Sequence, residues 1–346
     1  MKALSQMKAL SQMKALSQMK AIIWTAYGPP EVLQLRNVEK PIPKDNEILI
    51  RVITTNIFTG DCEMRRFQMH PSMWLPIRIF TGLIKPRINI LGQELSGVIE
   101  ATGKDVARFS PGDAVMACTE ARFGSYAEYI CLPESYTIAK KPENVSFEAA
   151  ATLPVGGIHA LHFLRIARLK KDEKILIFGA GGCIGTYAVQ IAHNLGAEVT
   201  VVDSADKLDM LRSIGAHHVI DFRKDDFTNN GVQYDVIFDV AGKSPYTRSL
   251  CSLNDTGRYL LANHGLSVML HGWWTSKRNT KKVLFSMAKM SLEDLETLAN
   301  FCSEGKLESI IDRRYTLDEM VDAHRYIDSG RKQGHVVVNV GKIEAG

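Results

Sequence analysis

The chain has 346 residues, about two domains at roughly 100–200 residues each. Hydrophobic residues make up 45% and charged residues 23%, the balance of a globular protein with a sizeable core, which excludes a disordered tail, a collagen-like chain and a small disulfide scaffold. The formal charge is +4, but three of those charges are Lys2, Lys8 and Lys14, so the balance gives no reason to expect nucleic acid as a partner.

Those lysines belong to three copies of MKALSQ over residues 1–18, and a fourth MKA opens at Met19. Six residues turn a helix by about 600°, so each copy is rotated about 120° against the last and no single face gathers the apolar side chains. The repeat is too short for a solenoid and lacks the apolar core of a signal peptide. It reads as a tag or a duplicated start, with the first barrel strand opening at Met19. Six scattered cysteines without a CxxC pair argue against a disulfide or zinc-finger framework and for a reducing, cytoplasmic setting. No uncharged apolar run is long enough to span a membrane.

From residue 19 to about 141 the chain reads as short strands and turns. Runs 21–27, 48–56 and 95–101 are rich in Ile, Val and Thr, with turn signals at Gly28-Pro29-Pro30 and Pro111-Gly112-Asp113. Between them, the stretch 69–91 carries Trp74, Ile79, Phe80 and Ile84 among Arg78, Lys85 and Arg87. It suits a lid, a membrane-surface patch or a packed segment, and Pro76 and Pro86 argue against a long amphipathic helix. After Pro142 the period changes. Helices are expected over 147–153 and 158–169, then strands at 174–178, 198–202, 217–222, 234–240 and 257–262 alternate with helices at 184–195 and 205–214. Strands apolar almost throughout, alternating with helices, imply a parallel sheet covered on both faces. Two solvated helix turns are expected around Trp273-Trp274. A short strand, a helix at 317–327 and a last strand at 335–340 close the chain and can return to the first domain. The domains expected are 19–141 with 308–346, and 142–307.

The strongest local signal is KILIFGAGGCIGTYAVQ, a buried strand running into Gly179, Gly181, Gly182, Cys183, Ile184 and Gly185 and then into a helix. Gly179, Gly182 and Gly185 are spaced GxxGxxG. This chemistry needs a tight turn, backbone close to a pyrophosphate, and a helix N-terminus offering free N–H groups. Asp203 ends the next strand, where a carboxylate can take an adenosine ribose and repel a 2′-phosphate, favouring NADH over NADPH. Lys207 pulls the other way.

Segments spanning most of the chain then resemble the medium-chain dehydrogenase/reductase superfamily, and its zinc-independent quinone oxidoreductase (zeta-crystallin-like) branch. They are LGQELSGVIEATG, RFSPGDAVMA, GSYAEYICLP, AAATLPVGGIHALHFL, the glycine loop, LRSIGAHHVIDF, YDVIFDVAGK and QGHVVVNV. The resemblance implies an α/β protein with a GroES-like β-barrel domain and a Rossmann, doubly wound parallel-sheet domain, with the active site between them and a homodimer formed through a late strand near 283–288. Zinc-dependent relatives use Gly-His-Glu where this chain has Gly92-Gln93-Glu94, and an amide is a poor zinc ligand. No metal is therefore expected. Ser204, Phe222, Ala241, Gly242, Asn263, His264 and Gln333 are counted with the glycine loop, Asp203 and Lys207 as cofactor-binding. Tyr126 and His159 are the candidate catalytic residues, each a possible hydrogen-bond or proton donor. Phe58, Asp61 and Trp74 are candidate substrate-pocket residues, with Phe58 standing where relatives often show a polar side chain. The implied activity is NAD(P)H-dependent reduction of a small-molecule quinone or α,β-unsaturated carbonyl. A zinc-independent alcohol or aldehyde dehydrogenase, and a non-catalytic nucleotide-binding or redox-sensing protein, stay open.

Overall fold

The computed structural model describes residues 17–68, 71–263 and 265–341. His264 and most of the 1–18 repeat lie outside the described residues.

Six parallel strands form one sheet in the order His218–Asp221, Glu198–Asp203, Lys174–Phe178, Tyr234–Asp239, Leu253–Leu261, Lys282–Phe285. Their side chains alternate between two cores. Ile175, Ile177, Val199, Val201, Val236 and Phe238 bury on one face, and Leu176, Val202, Ile237 and Tyr259 on the other, which is why these strands read as continuous apolar runs. Chain order reverses between Lys174–Phe178 and Tyr234–Asp239. A crevice opens at the carboxyl ends of the strands at such a switch point.

The second sheet has seven strands, six of them in the order Ile311–Thr316, His335–Asn339, Glu47–Asn56, Glu94–Thr102, Ala114–Cys118, Ile138–Lys140, with Tyr129–Pro133 also on Glu47–Asn56. The last strand pairs through Val337 with Asn56, so the C-terminal segment is part of this sheet. Met116 and Ala139 join the core beneath Ile158 and Leu298, so the two sheets share one apolar interior.

Several elements differ from expectation. The first strand is Gln18–Trp24; it pairs with Leu33–Glu39 in a separate two-stranded sheet, is bridged to the barrel at Ala21 and Ala127, and buries Ile22 and Trp24 against Tyr126 and Val336. A helix, Pro71–Thr81, forms with Pro76 inside it. Between the short helix Phe147–Ala150 and the helix Ile158–Ala167 lies a π-helical turn, Leu153–Gly157. The expected solvated turns are one helix, Leu266–Arg278.

Candidate active site

Gly179 ends its strand in the left-handed region (φ 79°) while its N–H still donates to Val202 O at 2.9 Å. A Cβ there would lie 2.7 Å from the Ala241 Cβ, so the two loops of the switch point meet at this glycine. Gly181 donates its N–H to Asp203 Oδ2 at 2.7 Å. Gly182 caps the helix Cys183–Asn194, whose first residues are Cys183 and Ile184. Gly185 packs so closely that a Cβ would be 2.4 Å from Ala180 O. The first N–H groups of a helix have no partner within it, and just before them a Cβ added at Gly182 would meet nothing nearer than Gly179 O at 4.0 Å.

Around this loop gather most of the cofactor candidates. The second Asp203 oxygen accepts from Ser204 N–H at 2.8 Å and meets Lys207 Nζ at 3.3 Å. The half-exposed Phe222 donates its N–H to Asp203 O. Gln333 reaches over from the barrel sheet to Asp206 O at 3.0 Å, and Gly334 N–H donates to Gly181 O at 2.8 Å. Gly242 N–H donates to the buried Asp239 at 2.8 Å, which fixes the turn carrying Ala241. Asn263 is exposed after the Leu253–Leu261 strand.

On the barrel side, Phe58 and His159 come together with ring centroids 6.4 Å apart. His159 Nδ1 lies 2.8 Å from Val155 O. A carbonyl only accepts, so Nδ1 carries the proton and Nε2 a lone pair. Burial lowers the pKa of this imidazole, so at neutral pH His159 is an acceptor with no proton to give. Below Phe58 lies a closed polar group. Asp61 accepts from Gln93 Nε2 at 3.1 Å, from Tyr126 Oη at 3.0 Å and from Phe58 N–H at 3.2 Å. Burial pushes Asp61 up to about 6 and Tyr126 well above its ordinary value. The Tyr126 hydroxyl is thus spent on Asp61, and neither residue is exposed. Trp74 packs elsewhere: its ring meets Phe67 edge-on at 5.5 Å.

Two residues at the site escaped the sequence reading. Lys332, almost fully buried, extends Nζ to within 2.9 Å of Cys183 Sγ and 3.4 Å of Thr59 Oγ1. It joins the glycine loop to the corner that holds Phe58. Glu94 accepts from Asn56 Nδ2 at 2.6 Å and from Val155 N–H at 2.8 Å, tying the barrel to the turn that leads into His159. Burial holds its carboxyl well above the usual range. Lys332 directly precedes the Gln333-Gly334-His335 segment and Glu94 closes Gly92-Gln93-Glu94, but nothing local marked what either side chain would meet.

The donor set does not fit a catalytic zinc. Gln93 offers an amide already turned to Asp61, and Cys62 Sγ is taken by His324 Nδ1 at 3.2 Å. Among the described residues no three His, Cys, Asp or Glu side chains converge as a metal site would require. The glycine loop does fit a dinucleotide, since Cβ atoms at Gly181 and Gly185 would collide with Lys207 and Ala180, and the one at Gly182 would enter open space.

Residues 44–143 match the alcohol dehydrogenase GroES-like domain family, and residues 214–338 match the zinc-binding dehydrogenase family. The 2-methylene-furan-3-one reductase of Solanum lycopersicum is 29% identical over 328 residues, 91% of this chain and 78% of that protein. The chloroplastic quinone-oxidoreductase homolog of Spinacia oleracea is 28% identical over 330 residues, covering 92% and 97%. The solved quinone oxidoreductase from Coxiella burnetii superposes with a TM-score of 0.84 at 28% identity, covering 94% of this chain and all of that one.

Proposed function

The chain belongs to the medium-chain dehydrogenase/reductase superfamily, and from that premise we propose that it transfers hydride from NAD(P)H to a quinone or an α,β-unsaturated carbonyl without zinc. The observation that carries this reading is the Lys332 bridge, which brings the glycine loop against Thr59 beside Phe58. When bound, the nicotinamide supplies the hydride. The chain's own residues bind and orient. Gly181, Gly182 and the helix N-terminus take the phosphates, with Lys332 adding charge. His159 Nε2, a lone pair, suits a donor such as an amide and so orients rather than protonates. Phe58 supplies an apolar wall for a planar substrate. With Tyr126 and His159 holding no available proton, the proton that completes the reduced product comes from water.

Asp203 favours NADH, but Lys207 sits on that carboxylate and Arg223 stands over the Phe222 ring. We read the pair as accepting NADPH as well. Among the described residues the edge strand Lys282–Phe285 pairs on one side only, with Leu253–Leu261, which supports a homodimer formed across that edge. The free cysteines support a reducing, cytoplasmic location.

The test is one purified sample offered a quinone, an enone and an aldehyde with each reduced cofactor, and an alcohol with each oxidised one, followed by nicotinamide absorbance. Quinone or enone should speed oxidation with both cofactors. Tight cofactor binding without turnover would overturn the enzyme reading. Chelator-sensitive alcohol oxidation would overturn the zinc-free one.

A further inference from the structure

The Pro71–Thr81 helix is turned inside out. A surface helix puts its apolar stripe on the core and its polar face in water. At about 100° per residue, Leu75, Pro76, Ile79 and Phe80 share one side of this helix, and all four are exposed. Its one charged residue points the other way. The Arg78 guanidinium lies 4.0 Å from the Tyr27 ring centroid, 4.1 Å from that of Phe67 and 5.3 Å from that of Trp74. It also donates to Leu83 O at 2.8 Å. Tyr27 Oη donates to Gly82 O at 2.7 Å and meets Thr81 Oγ1 at 2.8 Å. These contacts fix the roll of the helix, so its apolar side is held outward. The loop that follows continues the patch with Leu83 and with Ile84, 93% exposed.

The rim is basic. Lys85 and Arg87 are exposed beside Ile84, and no Asp or Glu occurs between Glu63 and Glu94. A self-complementary contact would set this one-signed rim close to its own copy, and lysine is depleted at protein interfaces. An apolar face rimmed by Lys and Arg matches what interfacial helices present to acidic lipid. The helix has 11 residues, roughly half the length needed to span a bilayer, so it can only lie on one.

We propose that the outer side of the Pro71–Thr81 helix and the Leu83–Arg87 loop dock on an anionic lipid bilayer. The docking rests on this surface alone. Failure of vesicle binding would leave the reductase reading standing, and failure of turnover would leave the docking standing.

The experiment is co-sedimentation of the full chain with phosphatidylcholine vesicles, with and without a phosphatidylserine fraction. Wild type should pellet with the acidic vesicles and little with the neutral ones. Lys85→Glu with Arg87→Glu should weaken that binding roughly 30-fold or more, at about a factor of five per basic residue lost. Ile79→Ser with Phe80→Ser and Ile84→Ser should abolish it, with the melting temperature and cofactor affinity of wild type showing that the variant folds. Binding that is equal on both vesicle types, absent from both, or unchanged in the charge variant overturns the proposal. So does a wild-type oligomer, seen by sedimentation velocity, that dissociates when the three apolar residues are replaced, because the patch is then covered by a second copy.

Discussion

Lys332 holds its Nζ 2.9 Å from Cys183 Sγ, at the first turn of the helix that follows the glycine loop. The lysine is 7% exposed, and its partners among the described residues are this thiol and the Thr59 hydroxyl. A buried cation without a carboxylate partner is costly, and a bound phosphate would complete it. Lys332→Met should therefore lower the affinity for NADH and NADPH alike by roughly 10- to 100-fold, the worth of one charged hydrogen bond. The melting temperature should hold or rise, because an uncompensated buried charge has been replaced by an apolar side chain. Fluorescence titration with both cofactors and a thermal melt check this; unchanged affinity would show that Lys332 only packs.

The same residue marks where sequence reading stops. The glycine loop and Asp203 were legible because strand, turn, helix and acid lie in one short stretch, and local chemistry sets their geometry. Lys332 meets Cys183 across a separation of 149 residues, Glu94 meets Val155 N–H across 61, and Tyr126 meets Asp61 across 65. The Lys332 and Glu94 contacts exist only after the barrel has closed on the parallel sheet, and the Tyr126 contact only after the barrel itself has folded. Trp74 shows the opposite error. An aromatic among prolines reads as pocket lining, whereas it belongs to the Arg78 cage. The Pro71–Thr81 helix was hidden by Pro76, which removes one backbone donor but leaves the turn below anchored by Tyr27.

Stability should depend on pH through two buried groups of opposite sign. Asp61 rises from 3.8 to about 6, and His324 falls from 6.5 to about 3. Desolvation is the largest cause in both. The raised carboxyl contributes stability that is complete below pH 3.8 and is lost as pH climbs through 6. The depressed imidazole contributes stability that is complete above pH 6.5 and is lost as pH falls toward 3. Across the acid range where both titrate, the slopes oppose. Asp61→Asn should remove the first, gaining up to about 3 kcal/mol at neutral pH and making the melting temperature climb more steeply with pH than in wild type. Melting curves for both proteins that run parallel through this range would refute the assignment.

If Asp203 favours NADH as proposed, Lys207 should set how far that preference holds. Its Nζ lies on Asp203 Oδ1, and its stem passes so close to Gly181 that an added Cβ would be 2.5 Å from Lys207 Cδ. A 2′-phosphate would compete with Asp203 for this cation. Lys207→Ala should then raise KM for NADPH roughly tenfold, the low end for a charged hydrogen bond, with KM for NADH nearly constant. Equal losses with the two cofactors would place Lys207 in the loop's packing instead.

Two glycines of one loop should separate folding from binding. At Gly185 an added methyl would lie 2.4 Å from Ala180 O and 2.6 Å from its carbonyl carbon. Backbone cannot yield as a flexible side chain can, so Gly185→Ala should cost about 1–3 kcal/mol or more and lose cofactor with the fold. At Gly182 the backbone has an ordinary φ of −100°, and the nearest atom to an added methyl is Gly179 O at 4.0 Å. The folded chain has room for that methyl, but it would occupy the open space in front of the helix N-terminus, where N–H groups need close approach of a phosphate. Gly182→Ala should keep the wild-type melting temperature and still lower cofactor affinity at least about tenfold, the worth of roughly one lost charge-assisted hydrogen bond. Calorimetric titration beside thermal melts distinguishes the two. A Gly182→Ala protein that binds NADH and NADPH as wild type does would mean that this open space is not where the dinucleotide sits.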